Sequence, residues 1–88
     1  LGGEEFGLLF KTKSIENGKL FSNTLKENIE ALKIENKNSS VSNYVTISMG
    51  LIIKHSQEIQ DIDEIYKEAD KLLYKSKETG RNKVSYNY

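Results

Sequence analysis

No cysteine occurs in this 88-residue chain, so disulfides and thiolate metal sites are excluded and nothing argues for secretion. Net charge is lacking too. Thirteen basic and thirteen acidic residues cancel, which leaves no global field to favour nucleic acid or an anionic membrane. No apolar run is long enough to span a bilayer, and no signal-peptide pattern is present. A soluble, cytoplasmic segment without direct membrane contact is the expectation. There is no internal repeat, no low-complexity tract and no Walker-type glycine loop, so a P-loop NTPase is the wrong frame. The single histidine, His55, follows an expected strand and reads as a solvated loop residue, not a ligand. What these absences leave is one domain at most, near the lower end of what buries a useful core.

What is present alternates between two hydrophobic periods. Residues 6–11 form a short apolar run that predicts a strand buried on both faces. Asn17-Gly18 signals a turn within the polar stretch 12–19. Ser22 or Asn23 is placed to cap a helix, and Thr24-Leu25-Lys26-Glu27 fits a capping box. Leu25, Ile29 and Leu32 recur at helical spacing and carry this helix to about Lys33 or Glu35. Residues 35–43, rich in Asn and Ser, predict a mobile loop.

Residues 44–53 make the strongest strand pattern. Val45, Ile47, Met49, Leu51 and Ile53 share one face, and Thr46, Ser48 and Gly50 form an opposite face of small residues. A helix or backbone could approach that small face closely. A second helix is predicted from about Asp61 or Ile62 to Thr79, with Ile62, Ile65, Tyr66, Ala69, Leu72, Leu73 and Ser76 on one face. Acidic residues crowd its start and Lys75 and Lys77 its end, complementing the helix dipole. Gly80 stands where a left-handed cap belongs, and Val84-Ser85-Tyr86 reads as a last short strand. The expected class is α/β (α+β), in the order β-α-β-α-β.

Two clusters could carry chemistry. Gly2-Gly3-Glu4-Glu5 joins a backbone able to approach a bulky ligand to two hard oxygen donors. Taken alone it reads as a hairpin tip with solvated glutamates. Lys77 and Arg81, separated by the helix-ending Gly80, could converge as a clamp on a diphosphate or triphosphate. In isolation those cations would merely compensate the helix dipole. Together, carboxylates for Mg²⁺ and cations for phosphate oxygens are what phosphoryl or nucleotidyl transfer requires.

Residues 2–6 (Gly-Gly-Glu-Glu-Phe) resemble the signature of the GGDEF domain, the diguanylate cyclase family, in its GGEEF form. Residues 45–50 (Val-Thr-Ile-Ser-Met-Gly) are similar to the family's strand motif. Residues 69–82 resemble its late helix motif, A-D-x-A-L-Y-x-A-K-x-x-G-R-N, with Leu72 and Ser76 where alanine is usual. The three segments occur in family order and cover nearly the whole chain.

The resemblance implies a mainly antiparallel sheet with flanking helices and the synthesis of cyclic di-GMP from two GTP molecules with Mg²⁺ or Mn²⁺. It implies that Glu4 binds metal and assists deprotonation of the ribose 3′-hydroxyl, and that Glu5 contributes to metal or active-site electrostatics. Gly2 and Gly3 would lie against the nucleotide, and Lys77 and Arg81 would hold its terminal phosphates. Asp70 would be a local hydrogen-bonding residue, not a metal ligand.

Each such site holds one GTP, so the implied partner is a second copy facing the first. The chain opens on a turn motif with no strand before it, and the family domain is about twice this length. The expectation is therefore a partial GGDEF domain over residues 1–88, lacking its N-terminal half and inactive alone. The parent could be anchored in a membrane through other domains. The alternative is a non-catalytic GGDEF domain that binds GTP or cyclic di-GMP or serves dimerisation.

Overall fold

The computed structural model describes residues 7–8, 10–35 and 44–87. Among them the order is helix α1 (Ile15–Ala31), strand β1 (Met49–Leu51), helix α2 (Ile62–Glu78) and strand β2 (Val84–Tyr86), with one 3-10 turn at Ser56–Glu58. The strand expected over residues 6–11 is not formed at residues 7, 8, 10 and 11; Phe6 and Leu9 lie outside the described residues. The β-α-β-α-β order is corrected accordingly.

α1 starts well before the predicted cap. Ser14 has extended backbone and its Oγ accepts from the Asn17 N–H at 3.1 Å, which makes it the N-cap. Glu16 adds an acidic first turn. Asn17 and Gly18, expected as a turn, therefore lie inside the helix. Glycine there costs about 1 kcal/mol relative to alanine, but it admits a close neighbour. A Cβ on Gly18 would lie 2.7 Å from Ile53 Cδ1, so tertiary packing overrides the local turn preference. Ser22 is buried mid-helix, donating to the Lys19 carbonyl at 3.0 Å, and caps nothing. The Thr24–Glu27 box is likewise interior. Lys33, at φ 51°, ends the helical path close to where the apolar stripe predicts.

α2 matches its predicted bounds and caps, but the predicted single face divides: Ile62 and Tyr66 are exposed, while Leu72 and Ser76 meet β1. The Asp61 carboxylate accepts from the Asp63 N–H at 2.9 Å as N-cap, and Asp63 and Glu64 fill the first turn. Lys75 and Lys77 fill the last.

The predicted strand 44–53 contracts to Met49–Leu51, because a strand exists only where a ladder partner runs beside it. That partner is β2, with Met49, Gly50 and Leu51 opposite Val84, Ser85 and Tyr86. The pair is parallel, not antiparallel as the family resemblance implied. The 17-residue helix α2 supplies the crossover that parallel neighbours need. Beyond β1 the Asn87 side chain extends the pairing, accepting from Ile53 N–H at 3.3 Å and donating to Ile53 O at 3.2 Å. Tyr44 makes a lone antiparallel bridge to Glu35. Residues 36–43 of the predicted loop lie outside the described residues.

Side-chain alternation divides the helices between the two sheet faces. Gly50 and Ser85 face α2. A Cβ on Gly50 would stand 2.5 Å from Leu73 N and 2.9 Å from Leu72 Cβ, and would also collide with the Ala69 carbonyl. The small-residue face read from the sequence is thus where a helix backbone comes down on the sheet. Ser76 completes the contact, its Oγ donating to Met49 O at 2.7 Å and lying 2.7 Å from Ser85 Oγ. On the opposite face Ile53 meets α1, and the Tyr86 hydroxyl accepts from Asn23 Nδ2 at 2.6 Å. Lys19 Nζ sits 5.1 Å from the Tyr86 ring centroid. Phe10 and Phe21, with ring centroids 4.7 Å apart, tie the lead-in segment to α1.

Candidate functional site: the C-terminal end of α2

Lys77 occupies the last turn of α2 and Arg81 follows two residues after its C-cap, Thr79. The Arg81 N–H donates to Ser76 O at 2.8 Å, the six-to-one bond of a Schellman closure, with Gly80 at φ 125°. Glycine is needed there because the position demands positive φ. The closure turns the chain back over the last helical turn, so Arg81 sits against the segment that carries Lys77. Arg81 and Asn82 continue in the left-handed region, at φ 64° and 49°. The Lys83 ammonium donates to the Thr79 carbonyl and closes the turn from outside.

α2 has two working stripes. Ala69, Leu72 and Ser76 pack toward the sheet. Asp70, Leu73, Tyr74 and Lys77, spaced at three- and four-residue steps, line an open depression of about 220 Å³ on the flank of the helix. That stripe continues back to Tyr66. A Cβ on Gly7 would lie 3.4 Å from Tyr66 Cε1 and 3.8 Å from its hydroxyl. The residue that directly follows the Gly-Gly-Glu-Glu-Phe segment is therefore seated on the same flank of α2 that carries Lys77 further along.

Gly2, Gly3, Glu4 and Glu5 lie outside the described residues. Among the described residues no group of three or more His, Asp or Glu side chains is arranged to hold a metal ion. Asp70 is exposed on the outer stripe, and His55 is exposed in a loop. No helix among the described residues is long and apolar enough to cross a membrane.

Sequence reasoning missed the residues that frame the Arg81 turn. Asn82 N–H donates to Ser48 Oγ at 3.1 Å, and Asn82 Nδ2 donates to Glu30 Oε2 at 2.7 Å. Asn82 carried a local signal, since asparagine is enriched at positive φ. Glu30 carried none: it is an ordinary charged residue on α1, and only tertiary folding brings it to a turn 52 positions away.

Residues 1–83 match the family described as diguanylate cyclase, GGDEF domain. The chain is 40% identical over 84 residues to the probable diguanylate cyclase DgcT of Escherichia coli K12, covering 96% of this chain and 18% of that protein. It is 34% identical to the diguanylate cyclase VdcA of Vibrio cholerae, covering 94% of the chain and 24% of VdcA. It is 30% identical to diguanylate cyclase A of Treponema denticola, covering 96% and 22%. No solved structure gives a match of comparable significance. The chain thus spans about a quarter or less of the length of these relatives.

Proposed function

The chain belongs to the GGDEF domain family, and from that premise we propose that the protein it forms part of is a diguanylate cyclase. It condenses two GTP molecules into cyclic di-GMP. Each ribose 3′-oxygen attacks the α-phosphorus of the other nucleotide; two phosphodiester bonds form and two pyrophosphates leave. Lys77 and Arg81 hold the terminal phosphates, where their charge offsets that of the leaving pyrophosphate. Gly2 and Gly3 let the backbone lie against the nucleotide. Glu4 takes the 3′-hydroxyl proton, with Glu5 setting the field beside it.

The donor set of Glu4 and Glu5 fits Mg²⁺ or Mn²⁺, hard cations that take one or two carboxylates together with substrate phosphates. When bound, such an ion neutralises phosphate charge and polarises the reacting oxygens. Each site takes one GTP, so the working unit is a pair of facing domains in a homodimer.

The observation that carries this reading is Gly7 seated on Tyr66. Helix rise from Tyr66 to Lys77 is about 16.5 Å. Extended chain from Gly7 back to Glu4 reaches about 10 Å, and back to Gly2 about 17 Å. Chain length thus permits, and this reading requires, that the acidic motif meet the cationic end of α2, the remainder being bridged by the lysine side chain.

The test is a comparison of ligands in the full-length protein. Arg81→Ala and Lys77→Ala each raise the KM for GTP by about tenfold or more, as loss of a charge-assisted phosphate contact requires. Inhibition by GMP, which lacks the terminal phosphates, is unchanged. Equal losses for GTP and GMP reject the phosphate assignment. Wild-type GTP binding without turnover assigns the non-catalytic binding role.

We further propose that residues 1–88 alone are insufficient for turnover. Leu51 is the one buried apolar side chain among the described residues, while Leu20 is 66% exposed and Phe21 45%. So little core among the described residues does not by itself hold their two-stranded sheet and two helices in one geometry. Purified residues 1–88 are expected to yield no cyclic di-GMP from GTP and Mg²⁺, measured by chromatography of the products. Detectable product overturns the expectation.

A further inference from the structure

Three consecutive residues after α2 have positive φ: Gly80 at 125°, Arg81 at 64° and Asn82 at 49°. Glycine adopts such backbone freely and asparagine tolerates it, but arginine disfavours it. A run of this kind persists only where its surroundings over-determine it, and such strain gathers where geometry is used.

The surroundings hold the turn from three directions. α2 accepts the Arg81 N–H through Ser76 O, and the lead-in to β1 accepts the Asn82 N–H through Ser48 Oγ. α1 accepts Asn82 Nδ2 through the Glu30 carboxylate at 2.7 Å. The third contact is charge-assisted and half-buried, which makes it the strongest of the set. Asn82 Oδ1 is buried without a partner among the described residues. The amide is thus not turned to satisfy its own acceptor; Glu30 decides its orientation.

We propose that Glu30 and Asn82 are positioning residues for Arg81. The Glu30 carboxylate holds the Asn82 amide, and the Asn82 backbone then keeps the left-handed turn in the conformation that presents the guanidinium to the terminal phosphates. The inference rests on the phosphate-binding reading of Arg81, and it gives α1, which that reading leaves out, a part in holding the Arg81 turn.

The experiment uses the full-length protein and measures KM for GTP, kcat, inhibition by GMP and the thermal midpoint. Glu30→Ala raises KM for GTP by about tenfold and leaves the GMP inhibition constant unchanged. Glu30→Gln keeps a carbonyl acceptor for Asn82 Nδ2 and stays within about twofold of the parent. In an Arg81→Ala background Glu30→Ala adds nothing, because both changes remove the same contact. Ser48→Ala, which removes the other anchor of Asn82, reproduces the GTP-selective loss if Glu30→Ala lowers the thermal midpoint too far to assay.

Losses that are equal for GTP and GMP, or additive with Arg81→Ala, overturn the positioning role and leave Glu30 as a packing residue. A GTP-selective loss in Arg81→Ala with none in Glu30→Ala or Ser48→Ala also overturns it, while the phosphate reading stands. No loss in Arg81→Ala itself removes the phosphate reading and this inference together.

Discussion

Glutamine in place of Glu4 in the full-length protein is expected to lower kcat by about 10²–10⁴-fold, the contribution typical of a positioned proton acceptor. The substitution keeps the volume and planarity of the side chain and removes only its charge. Without that charge the side chain neither takes the ribose proton nor offers an anionic oxygen to a hard divalent cation. Under the proposed roles, Lys77 and Arg81 hold GTP independently of this carboxylate, so the expected loss falls mainly on kcat and less on KM. The thermal midpoint and the oligomeric mass by light scattering should match the parent protein. Cyclic di-GMP production from GTP, followed over time, is the measurement. Turnover within a few-fold of the parent would reject the role assigned to Glu4, and a fall in oligomeric mass would show that the residue acts through assembly.

Gly50→Ala is expected to be the most disruptive single-methyl change in the described fold. The added Cβ meets Leu73 N at 2.5 Å and Leu72 Cβ at 2.9 Å, and it also meets the Ala69 carbonyl. Two of these three are backbone atoms of α2, which no rotamer change can clear. Relief requires α2 to move off β1. Overpacking of this kind costs about 1–3 kcal/mol, and the upper end applies where backbone must shift. The movement would also stretch the Ser76–Met49 hydrogen bond and shift the turn that carries Arg81. Gly7→Ala is the control, because its added methyl would make only ordinary contact with Tyr66. Thermal or urea unfolding of the full-length protein decides the matter: Gly50→Ala loses at least about 2 kcal/mol and Gly7→Ala about 0.5 or less. Similar midpoints for the two variants would contradict the close approach of α2 to β1.

α2 and β2 were legible because their signals are local and mutually consistent. An aspartate cap, a 3.6-residue apolar stripe and a glycine stop all agree over residues 61–80. The close approach at Gly50 was legible for a related reason, since small residues on one strand face leave room that only a backbone fills. The start of α1 is not legible locally, because Ser14 and Ser22 are equivalent as local caps. What separates them is Gly18 packing under Ile53, a contact across 35 positions. The strand pattern over 44–53 exceeds β1 for the opposite reason: alternation reports which residues can pair, and the ladder spans only the length of β2.

By itself the sequence determined the family, since three motifs in order carry it, and with it the candidate residues Gly2, Gly3, Glu4, Glu5, Lys77 and Arg81. It also determined the class of elements and the stop of α2, because caps, periodicity and glycine act within a few residues. Tertiary structure alone decided that β1 and β2 run parallel, that α1 and α2 take opposite faces, and that Glu30 reaches the Arg81 turn through Asn82. Those outcomes depend on groups tens of residues apart meeting at hydrogen-bond distance. A one-dimensional pattern does not encode that distance until the chain has folded.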